Sequence, residues 1–181
     1  MTLIVEDGTG LADADAYHDA DYLAAYATKR SITLASSDPD KIESAIREAA
    51  EYIDTVSRYK AQRLTAGQLR EFPRTGLQDW SGYDVVGVPE RVRLASAYLA
   101  VQSLAGVKLW QNQARGGQVT HKSIGPISTS WAPGASPHTL FSTAAMLLEQ
   151  YTRDPKAPYI DASLPEVTRS FSIGMNDDYE V

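Results

Sequence analysis

The sequence predicts a mainly α-helical protein: a small helical bundle with an inserted β-hairpin and an extended C-terminal arm. Three observations carry this expectation. Apolar residues recur at three- and four-residue spacing in four separate segments, the pattern of helices that bury one face. Between Arg115 and Trp131 the spacing changes to two. Val119, His121 and Ser123 alternate with Thr120 and Lys122, Gly125-Pro126 breaks the run, and Ile127, Thr129 and Trp131 resume it. After Arg153 the chain holds Pro155, Pro158 and Pro165 and only short apolar patches, a composition that favours extended chain. The expected division is a helical domain at 1–153, with the hairpin at 115–131, and an arm at 154–181. A chain of 181 residues is long enough for one domain with an apolar core.

Helix one is expected to take Asp13 as its N-cap, with Asp15 in the first turn and Ala16, Tyr17, Ala20, Leu23, Ala24 and Ala27 following to about Lys29. Helix two has Asp38 as N-cap and Pro39 at the first helical position. Ile42, Ala45, Ile46, Ala49, Ile53 and Val56 give it the cleanest apolar stripe in the chain. Residues 59–88 read as connecting structure, with a short helix possible at 65–70 before Phe72-Pro73 forces the chain out of it. Pro89 opens helix three, expected to run to about Gln113 and apolar around nearly its whole circumference, so buried on all sides, either centrally in the domain or partly by neighbouring copies. Gly106 interrupts that run at a cost of about 1 kcal/mol relative to alanine. The last helix is expected to start at Ser136-Pro137, to carry Leu140, Phe141, Ala144, Leu147, Leu148 and Tyr151, and to end by Asp154-Pro155.

An isolated hairpin is marginal in water, so one retained by a helical domain is expected to lie against another surface. Ile124, Ile127 and Trp131 offer apolar contact there, Lys122 a charge, and Gly116-Gly117 a pivot. The arm carries isolated apolar anchors, Tyr159, Ile160, Leu164, Phe171, Ile173 and Tyr179, among six acids and two bases. Such a segment becomes ordered only where it docks.

Charge is unevenly distributed. The formal net charge is -6, from 17 basic and 23 acidic residues, which argues against a free-standing nucleic-acid binder. Arg91 to Leu148 contains no acid, whereas Glu6, Asp7, Asp13, Asp15, Asp19 and Asp21 crowd the front. One candidate phosphate-contacting stripe remains: Arg58, Lys60, Arg63, Arg70 and Arg74, with Tyr59, Phe72 and Trp80 nearby.

The motifs of known chemistry are missing, so neither an enzyme nor a cofactor is expected. There is no cysteine, which removes thiol catalysis, disulfides and cysteine-ligated zinc. Asp13, Asp15 and Asp19 suggest a calcium loop, but His18 stands where its glycine is required. His18, His121 and His138 show no ligand spacing. Ser57-Arg58-Tyr59-Lys60 matches a serine-x-x-lysine pattern without its companions, and Gly8-Thr9-Gly10 lacks the strand that a dinucleotide crevice needs. No apolar run approaches a membrane span and MTLIVEDGTG is not a signal peptide, so a soluble chain without a membrane partner is expected.

The order of several segments resembles the head-tail adaptor, or head-completion, proteins of tailed bacteriophages, whose members often carry the label of DnaT-like single-stranded-DNA-binding proteins. The segments are LIVEDGTGLADADAYHDADYLAAY, YIDTVSRYKAQR followed by LREFPRTG, PERVRLASAYLAVQSL, RGGQVTHKSIGPISTSW and FSTAAMLLEQYT, together covering about residues 3–152. The resemblance implies a structural ring, commonly of twelve copies, between the portal protein and the tail or a second neck protein. Double-stranded genome DNA passes through its lumen. It places the protein in the virion neck, after assembly in the bacterial host cytoplasm. The hairpin would then contact a neighbouring ring or line the channel, the arm would reach the portal or an adjacent subunit, and Tyr98, Leu99 and Trp110 would help close the ring. The rival reading is a replication accessory protein that binds single-stranded DNA.

Overall fold

The structure, a computed structural model, describes residues 3–110 and 141–153 together with the backbone of 121–124 and 127–130. Among them are four α-helices, α1 (Ala20–Lys29), α2 (Pro39–Val56), α3 (Glu90–Leu104) and α4 (Ser142–Leu148). Two antiparallel strand pairs accompany them, β1 (Gln62–Arg63) with β2 (Arg74–Thr75), and β3 (His121–Ile124) with β4 (Ile127–Ser130). The architecture is mainly helical with a small hairpin insert, as the periodicities predict.

Helix one does not begin at Asp13. The backbone there is already committed elsewhere: Asp15 and Ala16 donate to the Ile4 carbonyl at 2.7 and 3.2 Å, and the Glu6 amide donates to the Ala16 carbonyl at 2.9 Å. The chain is extended through Ala16, and α1 starts only after Asp19, whose carboxylate accepts from the Tyr22 amide at 2.8 Å as a true N-cap. Glu6 is fully buried, and its carboxylate accepts three amides, those of Gly8, Gly10 and Leu11, at 2.8–2.9 Å. That ring of donors folds the opening loop back on itself.

Helix α2 matches its expectation, with Asp38 capping the Asp40 amide at 3.1 Å and Pro39 in the first turn. Helix α3 begins after Pro89 as expected but stops at Leu104, well before Gln113. Gly106 is its terminator rather than a weak point inside it. With φ of +84°, Gly106 donates to the Ser103 carbonyl at 2.9 Å while Val107 donates to Gln102 at 3.0 Å, the paired bonds of a Schellman stop. Helix α4 begins at Ser142, after Phe141, rather than at Pro137, and tightens into a 3-10 turn over Glu149–Tyr151.

Helix α3 packs against α1, α2 and α4, which is why its apolar residues run around it. Ala95, Ser96, Ala97 and Ala100 are buried at these contacts, and their small side chains allow close approach of the helices. The core joins Leu23, Ile46, Ile53, Phe72, Leu77, Val92 and Leu99 in one cluster.

Candidate functional site

Residues 59–88 are far more than a connection. Residues 65–70 form a turn, not a helix, in which Gln68 Oε1 accepts from the Thr65 amide at 2.9 Å while its Nε2 donates to the Arg70 and Pro73 carbonyls. This turn delivers Arg70, Phe72 and Arg74 inward, and around them a polar hub is built inside the apolar core.

Tyr17 stands at its centre. Its hydroxyl donates to Asp54 Oδ1 and accepts from the amides of Glu71 and Phe72 at 3.1 and 3.3 Å. Arg70 Nε donates to the Ala14 carbonyl at 3.0 Å, and its Nη1 stands beside Asp54 Oδ2. Arg74 is the most connected side chain. Its guanidinium donates to the carbonyls of Lys60, Ala61 and Glu71 at 2.7–3.0 Å and pairs with the Glu71 carboxylate at 2.6 Å. Phe72 has no exposed surface and meets the rings of Tyr17, Tyr59 and Tyr151 edge-on, at centroid separations of 6.2, 4.7 and 5.9 Å.

Burial sets the electrostatics of this hub. It raises the Asp54 carboxyl to about 7, against the opposing pull of the Tyr17 hydroxyl and the Arg70 charge. It also pushes the phenols of Tyr17 and Tyr59 upward, helped by the nearby Asp54. His18, buried beside the start of α1 with Nδ1 2.9 Å from the Asp19 carbonyl, is held below its usual value by the same desolvation.

The candidate nucleic-acid stripe does not survive as one surface. Arg70, Arg74, Tyr59 and Phe72 are buried in the hub. Lys60 Nζ reaches the Gln150 carbonyl at 3.0 Å and Arg63 the Gln68 carbonyl at 3.1 Å, although both residues remain exposed, as does Arg58. The acids of the suggested calcium loop are also structural: Asp19 caps α1 and Asp15 pairs with Arg47 at 3.4 Å. Among the described residues no group of three or more His, Cys, Asp or Glu could hold a metal ion, and no helix is long and apolar enough to cross a membrane.

The candidate assembly residues fall in different places. Lys122, Ile124 and Ile127 lie in the β3–β4 pair, where Lys122 faces Thr129 and Ile124 faces Ile127 in the register. Trp131 and the arm anchors Tyr159, Ile160, Leu164, Phe171, Ile173 and Tyr179 lie outside the described residues, as does the whole of 154–181. Leu99 is fully buried in the chain's own core and is no subunit contact; a helix surrounded by three others hides that face. Tyr98 is half-buried against the core, and Trp110 stays partly exposed with its ring 5.4 Å from Tyr52.

Sequence reasoning named Trp80 only as a neighbour of the basic stripe and missed the exposed loop to which it belongs. Trp80, Tyr83 and Val86 stand 65, 74 and 91% exposed on the loop between Leu77 and Val88. The Asp79-x-Ser81-Gly82 string was its available signal, since Asp and Gly mark a tight turn.

The fold and this site define a mainly helical domain with a hairpin insert, held by a buried Tyr-Asp-Arg hub. The chain belongs to the family described as "Putative DnaT-like ssDNA binding protein", whose model matches residues 1–164. No curated protein and no solved structure matches the chain.

Proposed function

We propose that this protein is a non-enzymatic structural adaptor of the tailed-bacteriophage neck, forming a ring between the portal and the tail or next neck protein. Genome DNA passes through the lumen without sequence-specific contact. The observation that carries this reading is the internal use of the basic-aromatic cluster. Arg70, Arg74, Tyr59 and Phe72 hold the fold together, while Trp80, Tyr83, Val86 and Met146 face outward. Arginines and rings committed to the core, beside apolar groups that face outward, suit protein contacts better than a grip on phosphates. The segment order that resembles head-completion proteins supports the same reading, and the ring size of twelve follows from that resemblance.

The family description favours a second reading, a single-stranded-DNA-binding replication accessory protein. Fluorescence anisotropy with a labelled single strand at about 0.15 M salt separates the two. The adaptor reading expects no sub-micromolar binding and ring-shaped particles by negative-stain microscopy. Tight, salt-sensitive binding to single strands without rings overturns it.

A further inference from the structure

Three polar atoms at the seam between the entry to α1 and helix α3 are buried and meet no hydrogen-bond partner among the described residues: His18 Nε2, Arg93 Nε and Ser96 Oγ. His18 and Ser96 are only 3 and 0% exposed, and Arg93 is half-buried. Elsewhere the chain satisfies the same groups. The hydroxyls of Thr28 and Thr55 donate to carbonyls one turn back, at 2.9 and 2.8 Å. Nε of Arg70 and Nε of Arg74 each donate to a carbonyl, at 3.0 and 2.7 Å. Folded chains seldom leave such atoms unmet, and here three fall together.

They share one location. Arg93 and Ser96 are three residues apart on α3 and so lie on one face of it. The backbone of Ser96 and the charge of Arg93 both act on the His18 ring. The same ring lies 5.1 Å from that of Tyr22, whose hydroxyl donates at 2.7 Å to Glu90, one turn before Arg93. Glu90, Arg93 and Ser96 thus set a polar stripe of α3 against His18 and Tyr22.

What these atoms can bind follows from their donors and acceptors. His18 Nδ1 stands 2.9 Å from the Asp19 carbonyl, and a carbonyl only accepts, so Nδ1 carries the hydrogen of the neutral ring. Burial, aided by the Arg93 charge, keeps the ring neutral against the opposing pull of Asp19. Nε2 then offers a lone pair, Arg93 Nε offers a hydrogen, and the Ser96 hydroxyl offers either. An anion would face the Nε2 lone pair, and a cation would face the arginine. A water molecule donates and accepts, and so matches all three.

We infer that His18 Nε2, Arg93 Nε and Ser96 Oγ form an internal binding site for one water molecule, which bridges the entry of α1 to α3. The water donates to His18 Nε2, accepts from Arg93 Nε and makes its third hydrogen bond with Ser96 Oγ. Three partners are the usual complement of a buried water. The site gives a reason for a serine among the buried Ala95, Ala97 and Ala100 of α3, and it stands independently of the ring reading above.

The test combines a crystal structure of the full chain with long-range nitrogen–proton spectra of its imidazoles near neutral pH. The expected result is one density peak at about 2.7–3.2 Å from all three atoms, a His18 ring protonated on Nδ1 alone, and cross-relaxation between its ring protons and water. Ser96→Ala removes one partner and should shorten the residence of that water roughly fivefold, the equivalent of one net hydrogen bond. Should that variant lose its helical spectrum, the wild-type measurements decide alone. A ring protonated on Nε2, a crystal structure with no peak at the three atoms, an anomalous signal there after bromide soaking, or an unchanged residence in folded Ser96→Ala overturns the site.

Discussion

The guanidinium of Arg70 stands 3.2 Å from the Asp54 carboxylate, with both side chains almost wholly removed from water. Arg70 Nε is held by the Ala14 carbonyl and Asp54 by the Tyr17 hydroxyl, so the pair joins the opening segment, α2 and the 65–75 turn at one point. Desolvation outweighs the attraction, and the acid is raised from its usual 3.8 to about 7.

That shift has a definite sign. The folded chain retains a proton on Asp54 that the unfolded chain releases, so this group's contribution to stability is full below 3.8 and is lost as pH rises through about 7. Asp54→Asn removes the titration. Urea unfolding at pH 5 and pH 8 should show a smaller drop in the variant than in the wild-type chain; equal drops in both would contradict the assignment.

His18 works in the opposite direction. Its value is depressed by burial, so its contribution is full above the unfolded value of 6.5 and is lost as pH falls through the lower folded value. His18→Gln should flatten the acid limb of the stability profile below pH 6.5. An acid limb identical to the wild type would show that another group controls it.

Arg74 cannot be replaced by lysine without loss. Its planar fork reaches the Lys60, Ala61 and Glu71 carbonyls at once, and an ammonium cannot span them. Leaving such buried carbonyls unpaired costs roughly 1–3 kcal/mol. Thermal unfolding should place Arg74→Lys several degrees below the wild type, whereas Arg58→Ala, at an exposed position, leaves the transition where it was.

Gly106→Ala tests the stop of α3. At φ of +84° a side chain is strained even though open space surrounds the position, at a cost of about 1 kcal/mol. For a chain of this size that is a fall of roughly 2–4 °C in Tm. An unchanged Tm would mean that the helix end relaxes around the new side chain.

Deletion of residues 118–130 with a short Gly/Ser linker tests the hairpin as an assembly element. The helical spectrum and melting transition should persist, and under the proposed adaptor role attachment to a neck partner should be lost. Unfolding of the shortened chain would assign the hairpin to the core.

Local pattern made α2, the start of α3 and the β3–β4 pair legible, because capping residues and period are sequence-near signals. The start of α1 was not legible. Asp13 looks like a cap only until Asp15 and Ala16 are known to bond to Ile4, a pairing across the opening loop that periodicity cannot reveal. The hub was hidden for a related reason. Arg70 and Arg74 read as surface cations because nothing local announces that the carbonyls of Ala14, Lys60 and Ala61 await them. The apolar circumference of α3 did predict its burial, yet it did not distinguish its own neighbours from a second copy, and so Leu99 was misassigned.

The three rings around Phe72 come from widely spaced parts of the chain, Tyr17, Tyr59 and Tyr151. The last of them lies in the turn whose neighbours bond back to Arg58 and Lys60. During synthesis Phe72 leaves the ribosome long before its final cover exists. The nascent chain therefore carries an open aromatic socket until residues 141–153 emerge, which exposes it to premature association. A ribosome stalled before Tyr151 should hold a chain that chaperones retain, and one stalled beyond Arg153, with the closing segment clear of the exit tunnel, a chain they release.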